Sequence, residues 1–205
     1  VLPKGGYNIV VCNDKQNAKI NNVTLDSDKT VNVTLSPEIG KAINVTKNDE
    51  NNESKYNADT GTYTFGDGDE WLAYFTEPTV NAETSFVLTA TVNWFNVDSH
   101  YAGFAVQTVK KNETDKEFLK FGIYLYPNDG WYGWANYSGD KWSSKLAISD
   151  NTPITLALVY NGGNYYLFVN DAHVLTVEVS ESYPAPNNKV GLCASNEKTF
   201  TDWGY

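Results

Sequence analysis

The sequence predicts an all-β protein, and three observations predict it. Helical periodicity is nearly absent along the 205 residues. Val, Thr, Tyr and Phe, which suit a pleated, half-buried surface, are abundant, and Asn is plentiful for turns. Several segments alternate apolar and polar residues with a period of two and are bounded by Gly, Asn, Asp or Pro. At this length one domain over 1–205 is expected, with 1–60 as N-terminal strands and a loop and 61–205 as the body. A hydrophobic content of 41% is enough for a sizeable core.

Taken in order, residues 7–12 (YNIVVC) form a short apolar strand. The similar units 21–29 (NNVTLDSDK) and 31–38 (VNVTLSPE) read as a hairpin around Asp26-Ser27-Asp28. Residues 42–45 make a further short strand, and the polar stretch 47–61 reads as a surface loop. Tyr63-Thr64-Phe65 leads through Gly66-Asp67-Gly68-Asp69-Glu70 to a strand at 71–75. Asp67 and Asp69 offer closely spaced oxygen ligands of the kind a structural calcium ion takes. The helix–loop–helix calcium pattern is absent there, and a plain turn explains the same residues.

From 85 the strands lengthen. In 85–95, Phe86, Leu88, Ala90, Val92 and Trp94 alternate with Val87, Thr89, Thr91 and Asn93. In 101–109, Ala102, Phe104 and Val106 oppose Gly103, Ala105 and Gln107. After a charged loop at 110–117 comes the densest aromatic stretch, 118–142, with three of the six tryptophans and four tyrosines. It reads as a hairpin turning at Asn128-Asp129-Gly130 and closed by a loop that returns to Trp142. Leu119, Phe121, Ile123 and Leu125 share its core face, and Lys120, Gly122, Tyr124 and Tyr126 share the other. A loop of two or of four residues at the turn would bring Trp131, Gly133, Ala135 and Tyr137 onto the face of Tyr124 and Tyr126. That face then has a floor of Gly and Ala, including Gly103 and Ala105, between aromatic walls. A meander follows at 154–160, 165–170 and 173–179, then a Pro-rich loop at 180–188 and two last strands at 189–195 and 198–205.

Fifteen lysines, no arginine and a net charge of −10 exclude an ordinary phosphate-binding surface, so neither nucleic acid nor anionic membrane is an expected partner. No run of eighteen apolar residues is present to span a membrane. Cys12 and Cys193 lie near opposite ends, and a disulfide and two buried thiols both remain open. The chain begins at Val1 and contains no methionine, which is what a processed or excised piece of a larger multidomain protein would show. The Lys-for-Arg bias and the Asn richness suggest an AT-rich bacterial genome, in which the Asn-x-Ser/Thr triplets, such as Asn136-Tyr137-Ser138, would stay unglycosylated.

The succession GFAVQ (103–107), FLKFGIYLY (118–126), ITLALVYNGGNYYLFVNDAHVL (154–175), NNKVGLCA (187–194) and FTDWGY (200–205) resembles a laminin-G-like domain. Such domains belong to the concanavalin A-like lectin and glucanase fold. The resemblance covers residues 85–205 and implies a jelly-roll sandwich of two antiparallel sheets, one concave, with carbohydrate often bound there or at its rim. More loosely, the chain is similar to carbohydrate-binding modules of gut-bacterial starch-adherence proteins, which implies secretion to a bacterial cell surface.

The expected function is binding of a polysaccharide or oligosaccharide without catalysis, a glucan such as starch being the first choice. Flat aromatic faces cover the apolar side of a sugar ring, and polar groups hold its hydroxyls. Trp131, Trp142, Tyr124, Tyr126 and Tyr137 are the candidates for the first task. Asn128, Asp129, Asp140 and Lys141 are the candidates for the second. Trp134 falls on the core parity in this reading. A hydrolase of the same fold would need two carboxylates flanking the scissile bond. The Glu-x-Asp-x-x-Glu pattern is absent, and none of the three strands on the candidate face carries an inward Asp or Glu. A protein-binding adhesion module of laminin-G type is the remaining alternative, with a broad aromatic patch as its interface.

Overall fold

Every element among the described residues is a β-strand. The computed structural model describes residues 5–13, 16–25, 45–47, 55–57, 60–66, 71–75, 79–93, 101–109, 118–149, 152–195 and 198–204. The chain divides into two compact units, Val1–Lys41 and Ala42–Tyr205.

In the first unit, β1 (Gly5–Asn13) and β2 (Gln16–Leu25) pair antiparallel, with Tyr7 opposite Val23 and Val11 opposite Ala18. The apolar strand expected at 7–12 is therefore half of a hairpin whose other half starts at Gln16. The second arm of the hairpin expected at 31–38 lies outside the described residues, as do Asp67 and Asp69.

The second unit is a sandwich of two seven-stranded antiparallel sheets. Its strands are β3 (Val45–Lys47), β4 (Lys55–Asn57), β5 (Thr62–Phe65), β6 (Trp71–Phe75), β7 (Phe86–Asn93), β8 (Tyr101–Thr108) and β9 (Phe118–Tyr126). They continue as β10 (Gly130–Asn136), β11 (Asp140–Leu146), β12 (Ile154–Asn161), β13 (Asn164–Val169), β14 (Ala172–Glu178), β15 (Pro186–Ala194) and β16 (Lys198–Gly204). One sheet runs β11-β10-β9-β8-β15-β6-β3 and the other β14-β13-β12-β7-β16-β5-β4. The antiparallel sandwich that the alternation and the resemblance imply is thus what the chain forms. Its body takes in β3 and β4, which precede residue 61 and sit at one edge of each sheet.

Strand alternation builds the core. Burial alternates along β12 from Ile154 to Asn161, and Leu156, Leu158 and Tyr160 point inward. From the facing sheet come Phe104, Phe121 and Ile123, each buried. Burying one such side chain contributes roughly 1.5–3 kcal/mol. Trp203 closes one side, stacked on Phe75 with ring centroids 5.3 Å apart and donating its indole N–H to the Gly61 carbonyl at 2.8 Å. The loop expected to return to Trp142 is the edge strand β11. Its sequence, DKWSSKL, is polar because an edge strand with few inward contacts faces water along most of its length.

Candidate functional site

The outer face of the β8–β11 half of its sheet carries the candidate site, and cross-strand register fixes what stands on it. β8 pairs with β9 so that Tyr101, Gly103, Ala105 and Gln107 lie opposite Tyr124, Gly122, Lys120 and Phe118. This is the outward set that alternation predicts for both strands.

The return strand departs from expectation. Tyr126 pairs with Gly130, so the connecting loop is the three residues Pro127, Asn128 and Asp129. Asn128 adopts φ 66° and Gly130 φ 129°, and the Asp129 amide donates to the Tyr126 carbonyl at 3.1 Å. An odd loop count reverses the parity of every residue that follows, relative to a loop of two or four. Trp131 and Ala135 consequently lie opposite Leu125 and Phe121 and are buried in the main core, with Trp131 3% exposed. Tyr137 is buried in the same cluster. Their placement on the binding face is corrected accordingly, and Gly133 leaves the floor. Tyr132 and Trp134 take their places, opposite Tyr124 and Gly122.

Three rows of side chains cross this face. The first is Tyr101, Tyr124, Tyr132 and Lys145. The second is Leu72, Cys193, Gly103, Gly122, Trp134 and Trp142. The third is Tyr74, Gly191, Ala105, Lys120, Asn136 and Asp140. The small floor is real, and its cause is internal. A Cβ on Gly103 would run into the Phe121 carbonyl, and one on Gly122 into the Ala102 carbonyl. The strands approach too closely there for any side chain.

A second buried cluster covers that floor. Leu72, Tyr101, Ala105, Trp134 and Cys193 are packed by Tyr74, Phe118, Tyr124 and Trp142. Lys120 is buried among them, its Nζ 4.8 Å from the Tyr101 ring centroid and 5.9 Å from that of Trp134. It also donates to the Tyr101 hydroxyl at 3.4 Å. An ammonium desolvated between aromatic faces is held by their quadrupoles. Trp134 is fixed from its other side, its indole N–H donating to Asp140 Oδ1 at 2.8 Å. The Asn136 amide donates to the same oxygen at 2.8 Å. Asp140, a candidate hydroxyl holder, therefore also sets the orientation of Trp134.

On this foundation lies a partly exposed aromatic platform. Tyr124 contacts Tyr126 at 4.8 Å and Trp142 at 5.2 Å, and Tyr126 contacts Trp142 at 5.3 Å and Tyr132 at 5.8 Å, all between ring centroids. Tyr126 is 40% exposed, and Tyr124, Tyr132 and Trp142 are half-buried. Burial, then the neighbouring Tyr126 and Asp140, pushes the Tyr124 phenol above its ordinary range. Tyr132 is raised too, first because its hydroxyl donates to Asp129 Oδ2 at 2.9 Å. Asp129 Oδ1 meets Lys145 Nζ at 3.4 Å. Asn128 and Asp129 are exposed at the turn. Lys141 is exposed opposite Ala135, on the other parity from Trp142. Of the sequence candidates, then, Tyr124, Tyr126 and Trp142 converge, with Asp129 and Asp140 at opposite ends of the platform. Tyr132, Trp134 and Lys145 complete it. The signal that would have found them is the loop count at Pro127-Asn128-Asp129-Gly130. Among the described residues, no group of three His, Cys, Asp or Glu side chains is placed to hold a metal ion.

No protein-family model and no curated protein sequence matches the chain. Solved structures match its fold. A functionally unknown protein from Saccharomyces cerevisiae shares 14% identity over 80% of this chain and 97% of its own, with a TM-score of 0.56. The carbohydrate-binding module CBM66 from Bacillus subtilis is 10% identical over 79% of this chain and 91% of its own, with a TM-score of 0.50. The potassium-bound carbohydrate recognition domain of Emp46p is 15% identical over 80% of this chain and 88% of its own, with a TM-score of 0.51. At such identities the likeness is one of fold. The chain carries the antiparallel jelly-roll β-sandwich that these structures share.

Proposed function

We propose that this protein is a non-catalytic carbohydrate-binding module that holds a glucan, starch or maltooligosaccharides first, on the outer face of β8–β11. The observation that carries the reading is the platform of Tyr124, Tyr126, Tyr132 and Trp142, backed by Trp134 and bordered by hydrogen-bonding groups. Each ring that covers the apolar side of a pyranose contributes on the order of 0.5–1.5 kcal/mol, by analogy with aromatic pairs. The rim supplies the hydroxyl partners: Asp129 and Lys145 at one end, Asp140 and Asn136 at the other. Among the described residues the indole N–H of Trp142 makes no hydrogen bond, so a sugar hydroxyl can accept it.

The absence of catalysis is supported by where the two carboxylates bordering the platform stand. Asp129 already serves Tyr132 and Lys145, and Asp140 already serves Trp134 and Asn136. They border opposite ends of the platform rather than flanking one bond as a hydrolytic pair does. In this reading the module works outside a bacterial cell, as one part of a surface protein that adheres to starch, and any calcium is structural. The test is retention in affinity gels containing starch, β-glucan or xylan, with maltooligosaccharides as competitors. Retardation by starch, relieved by maltooligosaccharides, is the expected result. Mobility unchanged in every gel would sink the reading.

A further inference from the structure

Beyond the platform, at the β9–β10 turn, the surface opens into a cleft of ≈ 490 Å³. That volume lies within the span of small-ligand sites, about 300–1,000 Å³. Its base is apolar. Leu125 and Trp131 belong to the main core, and Leu146 and Ile148 pack against it. Its mouth is polar and shared with the platform. Tyr126 lines the cleft while its ring touches Tyr124 and Trp142, and Lys145 lines it from the position opposite Tyr132.

Two groups at the mouth are free to bind a hydroxyl. Lys145 commits one of its three ammonium hydrogens to Asp129 Oδ1. The Asn128 carboxamide has no hydrogen-bond partner among the described residues, and its backbone is held at φ 66°, a conformation that non-glycine residues adopt at a cost. An apolar base, neutral and cationic donors and an amide at the rim suit a neutral polyol with one apolar side.

We infer that this cleft receives the terminal sugar residue of a glucan chain lying on the platform, so that the protein recognises chain ends. The inference rests on the glucan reading of the platform. In this arrangement a chain lying on the platform passes Tyr126 and sets its last ring against Leu146 and Ile148.

The experiment measures binding capacity toward linear α-glucans of different chain length, presented at equal mass. Chain-end recognition predicts capacity rising in proportion to the number of ends. It also predicts that Ile148→Trp, which fills the cleft from its apolar base, abolishes that proportionality while Trp142-dependent binding persists. Lys145→Ala is expected to weaken short chains more than long ones, and a thermal melt of each variant checks that the fold is intact. Capacity that follows mass alone, or Ile148→Trp and Lys145→Ala both indistinguishable from wild type in folded protein, overturns the inference and leaves the platform reading standing. Failure of every α-glucan to bind overturns both.

Discussion

Trp131 belongs with Leu125 and Ala135 to the core, so its truncation opens a cavity and takes no ring from the platform. Trp131→Ala is expected to cost roughly 3–5 kcal/mol, read from urea unfolding. Trp142 is half-buried, in ring contact with Tyr124, Tyr126 and Trp134, and its loss costs stability only about 1 kcal/mol. Two tryptophans of one hairpin thus separate stability from binding. Tyr165 provides a second check at this scale. Its hydroxyl donates to the Pro184 carbonyl at 3.0 Å, and burial, with Tyr160 adding to it, pushes its pKa far above the ordinary phenol value of 10.0. In the unfolded chain the phenol ionises near 10, while in the folded chain it stays neutral at that pH. Its contribution is therefore whole below pH ~10 and declines as pH rises beyond it. Tyr165→Phe should flatten the alkaline limb of a stability–pH curve while costing about 1 kcal/mol at neutral pH for the lost hydrogen bond. An unchanged alkaline limb would contradict the assignment.

Alternation is a property of one strand, and it made β8 and β9 legible from sequence: Phe104, Phe121 and Ile123 are inward, and Tyr124 and Tyr126 outward, as read. The face of β10 was not legible in the same way, because its parity depends on how many residues the preceding turn holds. Asn128-Asp129-Gly130 is compatible with loops of two, three or four residues, and the difference decides whether Trp131 or Tyr132 stands on the outer face. β11 was missed for another reason. Asp140–Leu146 is an edge strand with mostly exposed or half-buried residues, so it carries little apolar signal. The floor, by contrast, was visible as small residues, but its reason was not. Gly122 is required by the Ala102 carbonyl of the neighbouring strand, not by a ligand above it. Gly122→Ala should therefore destabilise by roughly 1–3 kcal/mol, as an overpacked site does, measured as a lower urea midpoint. A wild-type midpoint would mean that the strands separate at little cost.

At the scale of the molecule, the fold is shared with carbohydrate-recognition structures, and the net charge of −10 sits on a protein without arginine. Binding by stacking and hydroxyl hydrogen bonds to a neutral polymer has little Coulombic content. The affinity for maltooligosaccharides is expected to hold as sodium chloride is raised, whereas a charged partner would be lost by screening. Because the ligand binds only the folded state, it should also raise the melting temperature with its concentration. The central claim is that the outer face of β8–β11 holds the sugar. It is tested most directly by titration calorimetry of the wild type and Trp142→Ala with one maltooligosaccharide. The account predicts heat on titration of the wild type and an affinity weakened by up to about tenfold in the variant, the equivalent of one aromatic contact. Equal affinity in the two folded proteins would contradict it.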